Sequence, residues 1–293
     1  MLVTFYTKLT QIFLALNIFL ASIIGGGAAV TPNPSEPVSP DADVRVVQFN
    51  LRMGGVGKTA VAYRAPKMVA QLEEIKADSM GFQEATLEWM LYLQEHLTDY
   101  DYVGVARTDG KVLGEFSPIF YRSDKYNAID SGTFWLSKTP DIPGSKDWGS
   151  QNIRICTWVI LENKETGARY VHMNAHLDHI SEKARENQMK VLLNKADEFI
   201  GTYPIVLTGD FNDDNSSVMY SIATEKLNDS RLLAPITDDK ETYHNYGGAV
   251  IKGRLDYVFV SADTTPLVFH VIDDKIDGDY LSDHYGIYVD LKF

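Results

Sequence analysis

The residues best suited to chemistry lie in Leu207–Asp213, LTGDFND, where Asp210 and Asn212 stand two positions apart after an apolar run of Ile205, Val206 and Leu207. On an extended chain, side chains two apart share a face, so a carboxylate and an amide would stand together where a buried strand ends. An Asp beside a neutral hydrogen-bond donor suits a general base next to a developing oxyanion. A plain turn accounts for the same letters, because Gly-Asp and Asn-Asp pairs favour turns. Phe211, of opposite parity, should point into the core. Other polar residues fall at the ends of strand-like runs: Asn50, Glu84, His176, Asp256 and His284, with Asp283 beside the last. Hard oxygen donors without cysteine favour Mg²⁺, with Mn²⁺ as the substitute, over a structural zinc. Two His among several Asp and Asn is a set for hydrolysing a phosphoester. Carboxylates hold a cation, an Asp activates water, and imidazoles bind or protonate phosphoryl oxygens.

These residues need elements to aim them. Val44–Asn50 is β-rich and should be the first strand. Met68, Val69, Leu72 and Ile75 recur at helical spacing within Ala62–Lys76, so that segment should pack one face on a sheet. Ser79–Phe82 reads as a strand delivering Gln83-Glu84 to the start of a helix over Thr86–Leu97. At that junction Glu84 serves equally as a solvated acid favoured by the helix dipole. Ile153–Glu162 and Tyr170–His176 read as a hairpin turning near Thr166-Gly167. Along its second arm Asn174, His176 and Asp178 share parity and can face one cleft. Ser181–Ile200 is a helix capped by Ser181, and Tyr203–Gly209 leads into the Asp210 motif. Strands follow at Leu255–Ser261, Leu267–Ile272 and Tyr285–Phe293. Strands outnumber helices and no long repeat is present, a pattern of two packed sheets with helices outside. The loop Arg52–Thr59 contains GGVGKT but has Arg52 where a phosphate-binding P-loop needs its first Gly, so it reads as a decoy.

Composition narrows the classes. The 293 residues carry a formal charge of -13, which argues against a protein that coats nucleic acid through a basic surface. A local basic cleft remains compatible with it. The single cysteine, Cys156, rules out a disulfide framework and a cysteine-based zinc site, and it sits in the strand-like IRICTWVI as a small core side chain. Residues 1–30 hold one charge, Lys8, then an apolar run and Gly25-Gly26-Gly27-Ala28-Ala29. That order reads as a signal peptide, with an uncleaved N-terminal anchor as the alternative. Residues 31–43, with four prolines, read as an extended linker, so the folded domain should span 44–293. Export to the periplasm or the exterior is the expectation. No membrane insertion of the mature domain and no stable protein partner is implied, and the domain is expected to be a monomer.

The order Asn50, Gln83-Glu84, Asn174-Ala175-His176-Leu177, Gly209-Asp210-Phe211-Asn212, Arg254-Leu255-Asp256-Tyr257 and Ser282-Asp283-His284 resembles the endonuclease/exonuclease/phosphatase superfamily. The resemblance runs from Val44 to Phe293. It implies a DNase I-like four-layer α/β/β/α sandwich with one Mg²⁺ at the sheet edges. It further implies that Glu84 is the main metal ligand, with Asn50 and Asp283 close to the cation. Asp210 would orient or deprotonate water, Asn212 and His176 would hold phosphate oxygens, and Asp256 would hold the His284 that stabilises the pentacovalent phosphorus. The segments GEFSPIFYR, SGTFWLS and RICTW are similar to those of a bacterial subgroup distantly related to the deadenylase-like branch. Arg122 and Arg154 are candidates for gripping the far side of the substrate, and Asn174 joins them as a substrate-binding candidate; a surface ion pair explains either arginine as well. Trp135 and Trp148 could stack on a base or sugar, or serve as core and loop anchors. The substrate is expected to be a small phosphorylated metabolite, a sugar phosphate or nucleotide. A secreted DNA or RNA nuclease is the rival, and a binding protein that lost the chemistry is a more distant one.

Overall fold

In a computed structural model of the chain, residues 30–248, 250 and 253–293 are described. The expected signal peptide or anchor therefore lies, except for Val30, outside the described residues. Thirteen strands form two mixed sheets. In the first sheet, β1 (Val44–Asn50), β2 (Ser79–Gln83), β3 (Tyr100–Val103), β4 (Ile119–Arg122), β10 (Ile236–Thr237), β12 (Thr265–Ile272) and β13 (Gly286–Lys292) lie in the order β10-β12-β13-β1-β2-β4-β3. In the second, β5 (Tyr126–Trp135), β6 (Ile155–Asn163), β7 (Arg169–His176), β8 (Ile205–Asp210), β9 (Asn228–Asp229) and β11 (Asp256–Val260) lie in the order β5-β6-β7-β8-β11-β9. Helices α1 (Val61–Ile75) and α2 (Leu87–His96) cover the first sheet, and α3 (Glu182–Ala196) and α4 (Val218–Thr224) cover the second. A short α5 (Ser230–Leu233) connects two edge strands.

Three apolar layers hold this together. Met68, Val69, Leu72 and Ile75 of α1 pack with Val47, Phe49 and Phe82 of the first sheet. Met189, Leu192 and Leu193 of α3 pack with Met173, Ala175 and Leu207 of the second. Between the sheets Val46, Ile119, Val206, Val258, Ile287 and Val289 close the centre. The result is the expected α/β/β/α sandwich, since each sheet buries one face on helices and the other on its fellow. Ser181 caps α3 by accepting a hydrogen bond from Ala184 N. Cys156 is buried in the second layer and burial pushes its thiol up, so it is a core residue.

A polar seam crosses the central layer. Thr208 Oγ1 and Gln83 Nε2 both donate to Asn174 Oδ1, and His172 bridges Ser79 Oγ and Thr208 Oγ1 at 2.9 Å each. Gly81 lets the sheets approach here, for a Cβ on it would stand 2.3 Å from Thr208 Oγ1. Residues 31–43 form no helix or strand, but they do not hang free. Asn33 exchanges hydrogen bonds with Gln71, Ser35 donates to Glu74 O, and Arg45 donates to Glu36 O and Pro37 O while pairing with Asp290. Among the described residues, no helix is long and apolar enough to cross a membrane.

Candidate active site

Parallel pairing of β1 with β2 and of β7 with β8 brings four C-terminal strand ends to one edge, where Asn50, Gln83, His176 and Asp210 stand. β11 runs antiparallel to β8 and sets Asp256 opposite Asp210. The connection before β13 adds Asp283 and His284. Of these, His176, Asp210, Asp283 and His284 line a pocket of about 320 Å³. Asp210 and Asn212 both line it, although not as neighbours on one extended strand. β8 ends at Asp210, and Asn212 turns to φ 53°, donating its backbone N–H to Asp210 Oδ1 and its amide to Leu177 O. The turn and the site are thus the same feature. Phe211 faces the core as expected.

The acid–base centre is a linked chain. Gln48 Nε2 donates to Asp256 Oδ1, and His284 Nδ1–H donates to Asp256 Oδ2 at 2.7 Å. His284 Nε2 then stands 3.7 Å from Asp210 Oδ2, and His176 Nε2 stands 3.5 Å from the same oxygen. Burial alone would depress His284, but the charges of Asp256 and Asp210 outweigh it and raise the imidazole well above its ordinary value. His176 goes the opposite way: burial first, then the positive charge of Arg154, holds it neutral. Asp210 is raised by burial and by the charge of Asp256.

Beside this centre Glu84, at φ 55°, leaves the strand line and turns its carboxylate into the pocket. Met53 N donates to its Oε2 and Asn50 Nδ2 to its Oε1, while Asn50 also donates to Asp210 Oδ2 at 2.8 Å. The Arg52 guanidinium lies 3.5 Å from Glu84 Oε2 and 3.5 Å from Asp283 Oδ2. Two carboxylates converging on one positive charge fit a hard divalent cation. Asn50 lies beneath the pocket, buried, and ties Glu84 to Asp210; its own oxygen accepts from Arg52 N. Asp210, Asp256 and His284 also place ligand atoms within 4.8 Å of one another, but Asp256 and His284 already spend theirs on each other.

Two substrate-binding expectations need correction. Arg122 ends β4 at the opposite end of the sheet, beside the start of β2, and is bound by Asp124. Asn174 is fully buried in the seam, donating to Phe82 O and Pro118 O, so parity gave its face correctly and its depth wrongly. Asp178 does not face the cleft either. Its two oxygens accept from Ser150 Oγ and the backbone of Gln151, Asn152, Ile180 and Ser181. Trp135 donates to Arg107 O as a loop anchor, and neither it nor Trp148 lines the pocket. Lys58 of the decoy loop pairs with Asp279. Arg154 does line the pocket. It is 3% exposed, its Nε finds no hydrogen-bond partner, and burial lowers it to about 10. Glu115, Asn152, His179 and Tyr243 also line the pocket and were not anticipated as site residues.

Comparison with known proteins agrees with this arrangement. The model of the Endonuclease/Exonuclease/phosphatase family matches residues 47–284. An endonuclease/exonuclease/phosphatase from Bacteroides vulgatus superposes with a TM-score of 0.82 at 31% identity, over 85% of this chain and 98% of that one. A mannosyl-6-phosphatase from Bacteroides thetaiotaomicron superposes with a TM-score of 0.79 at 32% identity, over 86% and 100%. The CCR4-Not complex 3'-5'-exoribonuclease subunit Ccr4 of Aspergillus fumigatus is 27% identical over 162 residues, 48% of this chain and 23% of that protein. The match thus spans about a quarter of that relative's length.

Proposed function

The chain belongs to the endonuclease/exonuclease/phosphatase family, whose members are metal-dependent phosphoester hydrolases, and from that premise we propose that it is an exported, Mg²⁺-dependent phosphatase of a small sugar phosphate. The observation that carries the substrate class is the pocket. At about 320 Å³ it has the size for one small ester, and its lining gathers on the acid–base centre. The acidic balance of the chain and the likeness to a mannosyl-6-phosphatase support the same class. The segment before residue 31, with its apolar run and small residues, supports export.

Glu84 and Asp283 would hold the cation, with Asn50 fixing Glu84. Bound there, a divalent ion supplies Lewis acidity to a phosphoryl oxygen. Asp210 orients a water for in-line attack on phosphorus and takes its proton on a carboxylate oxygen. Neutral His176 and the Asn212 amide donate hydrogen bonds to phosphoryl oxygens. His284, kept cationic by Asp256, faces the charge that develops as the new P–O bond forms and the ester P–O bond to the sugar breaks; the sugar oxygen leaves and takes a proton from solvent water. Arg154, which lines the same pocket, holds the ester's anionic group.

The test uses metal-stripped protein resupplied with Mg²⁺ or Mn²⁺. It is assayed in parallel for phosphate release from hexose phosphates and nucleotides and for cleavage of labelled oligonucleotides, with Asp210→Asn as control. Phosphate release from hexose phosphates that needs the metal and falls by roughly 10³-fold or more in the variant is expected. Oligonucleotide cleavage without phosphate release overturns the reading in favour of a nuclease, the activity named for the Ccr4 relative.

A further inference from the structure

The pocket has a second wall that the hydrolytic chemistry leaves unused. Glu115 stands there at 7% exposure, on the segment that precedes β4 and pairs through Phe116 N with Ala85 O, next to Glu84. Arg107 grips it with both guanidinium nitrogens, Nη1 to Oε2 at 2.7 Å and Nη2 to Oε1 at 2.8 Å. A carboxylate held that way is fixed in direction and stays an acceptor, and each oxygen keeps a further lone pair. Asn152 and His179 complete the wall. Both sit on loops that Asp178 ties down through five donors, so their positions are set by the fold. His179 is held on the neutral side by burial and by Arg154. Arg154, buried with an unpartnered Nε, lines the same pocket, and its Nη2 lies 3.3 Å from His179 Nδ1.

Resting on the phosphatase reading above, we propose that Glu115, oriented by Arg107 and lining the same pocket as Asn152 and His179, forms with them the hydroxyl-recognition surface that selects a sugar as the alcohol part of the phosphomonoester. A fixed anionic acceptor beside an amide and a neutral imidazole suits a polyol, which brings O–H donors and acceptors and no charge. A nucleic-acid backbone would instead bring a second phosphate against the Glu115 carboxylate, and Arg107 is already committed to that carboxylate. A site built to hydrogen-bond substrate hydroxyls discriminates strongly against an analogue lacking them, because its buried polar groups are then left unpaired.

The test is a ratio. kcat/KM is measured by phosphate release for a hexose 6-phosphate and for n-butyl phosphate, which has no hydroxyls, in the wild-type holoenzyme and in Glu115→Gln and Glu115→Ala. The hexose-to-butyl ratio should fall roughly 10- to 100-fold in Glu115→Ala, chiefly through KM for the sugar, and by less in Glu115→Gln, which keeps an acceptor oxygen and a partner for Arg107. Should Glu115→Ala fail to fold, the Gln variant carries the comparison. A ratio unmoved in wild type and variants, with hexose phosphate still hydrolysed, leaves the phosphatase reading standing and removes this role from Glu115. Wild-type enzyme that releases phosphate from neither ester and cuts oligonucleotides removes the phosphatase reading itself, and this inference with it.

Discussion

Two imidazoles face Asp210 from 3.5 and 3.7 Å, and their surroundings make one cationic and leave the other neutral. His284 has a carboxylate on each side; His176 has Arg154 nearby and, among the described residues, pairs with the carboxylate of Asp210 alone. One is therefore built to meet developing negative charge as a cation and the other to donate as a neutral ring. Replacing Asp256 with Asn removes the charge that keeps His284 protonated and the acceptor that fixes its tautomer, while leaving the packing almost intact. kcat should fall by roughly 10²- to 10⁴-fold with KM changed only a few-fold. Steady-state kinetics decide this, and a loss under tenfold would mean that His284 does not act through Asp256. The family resemblance implies this pairing, and it has a physical reason, because an imidazole needs a carboxylate to fix its tautomer and favour its charged form. Depth was not legible. Asn174 and His176 share a face of one strand, yet one is sealed in the seam and the other lines the pocket, since parity carries no information on distance from the sheet end. Arg122 was misplaced because GEFSPIFYR holds two charged residues. The one that reaches the site is Glu115, at the segment's start, while Arg122 ends the strand on the far side.

At the scale of elements, the strands and the two long outer helices were readable because burial on one or two faces imposes a period on the sequence. Helix α1 spans Val61–Ile75 where Ala62–Lys76 was expected, and β2 spans Ser79–Gln83 where Ser79–Phe82 was expected. The four-residue and seven-residue helices near residues 218–233 are too short to show a period, and loops have none at all. That is why Asn152, His179 and Tyr243 escaped notice. Their positions are nevertheless specified, and Asp178 shows how. Burial alone would raise this carboxyl, but the backbone donors of Ser181, Asn152 and Ile180 and the Ser150 hydroxyl hold it below the usual range. It acts as the knot joining the loop after β7 to the loop before β6. Asp178→Ala leaves five donors without their acceptor in a largely dry site. It should cost about 2–4 kcal/mol of stability and raise KM more than it lowers kcat. Urea unfolding alongside kinetics checks both parts. Unchanged stability would show that water replaces the carboxylate at no cost.

Over the whole molecule, a polar seam crosses the apolar central layer, from Tyr170 and Ser79 near the starts of β7 and β2 through His172, Thr208, Asn174, Gln83 and Gln48 to Asp256 at the site. The carboxylate of Asp256 is therefore continuous with the joint between the sheets. A seam of this kind fixes the register of one sheet on the other, because every member is lost if either sheet slides. Its cost shows in His172, which is fully buried with both ring nitrogens bonded to hydroxyls, so that burial lowers it to about 3. In the unfolded chain the same imidazole takes up a proton near pH 6.5. Between those values the unfolded state binds more protons than the folded one. Stability from this group is thus complete above about pH 6.5 and is lost as the pH falls toward 3, by about 1.4 kcal/mol per unit within the window. His176 and His244 are pushed the same way by burial and add to the slope. His172→Gln should lower the mid-range stability, since Gln fits the two hydroxyls less well. It should also remove one proton's worth of the dependence between pH 6 and 4.5, as measured by urea unfolding at stepped pH. A variant that is merely less stable at every pH, with the slope intact, would show that the acid sensitivity of the seam resides elsewhere.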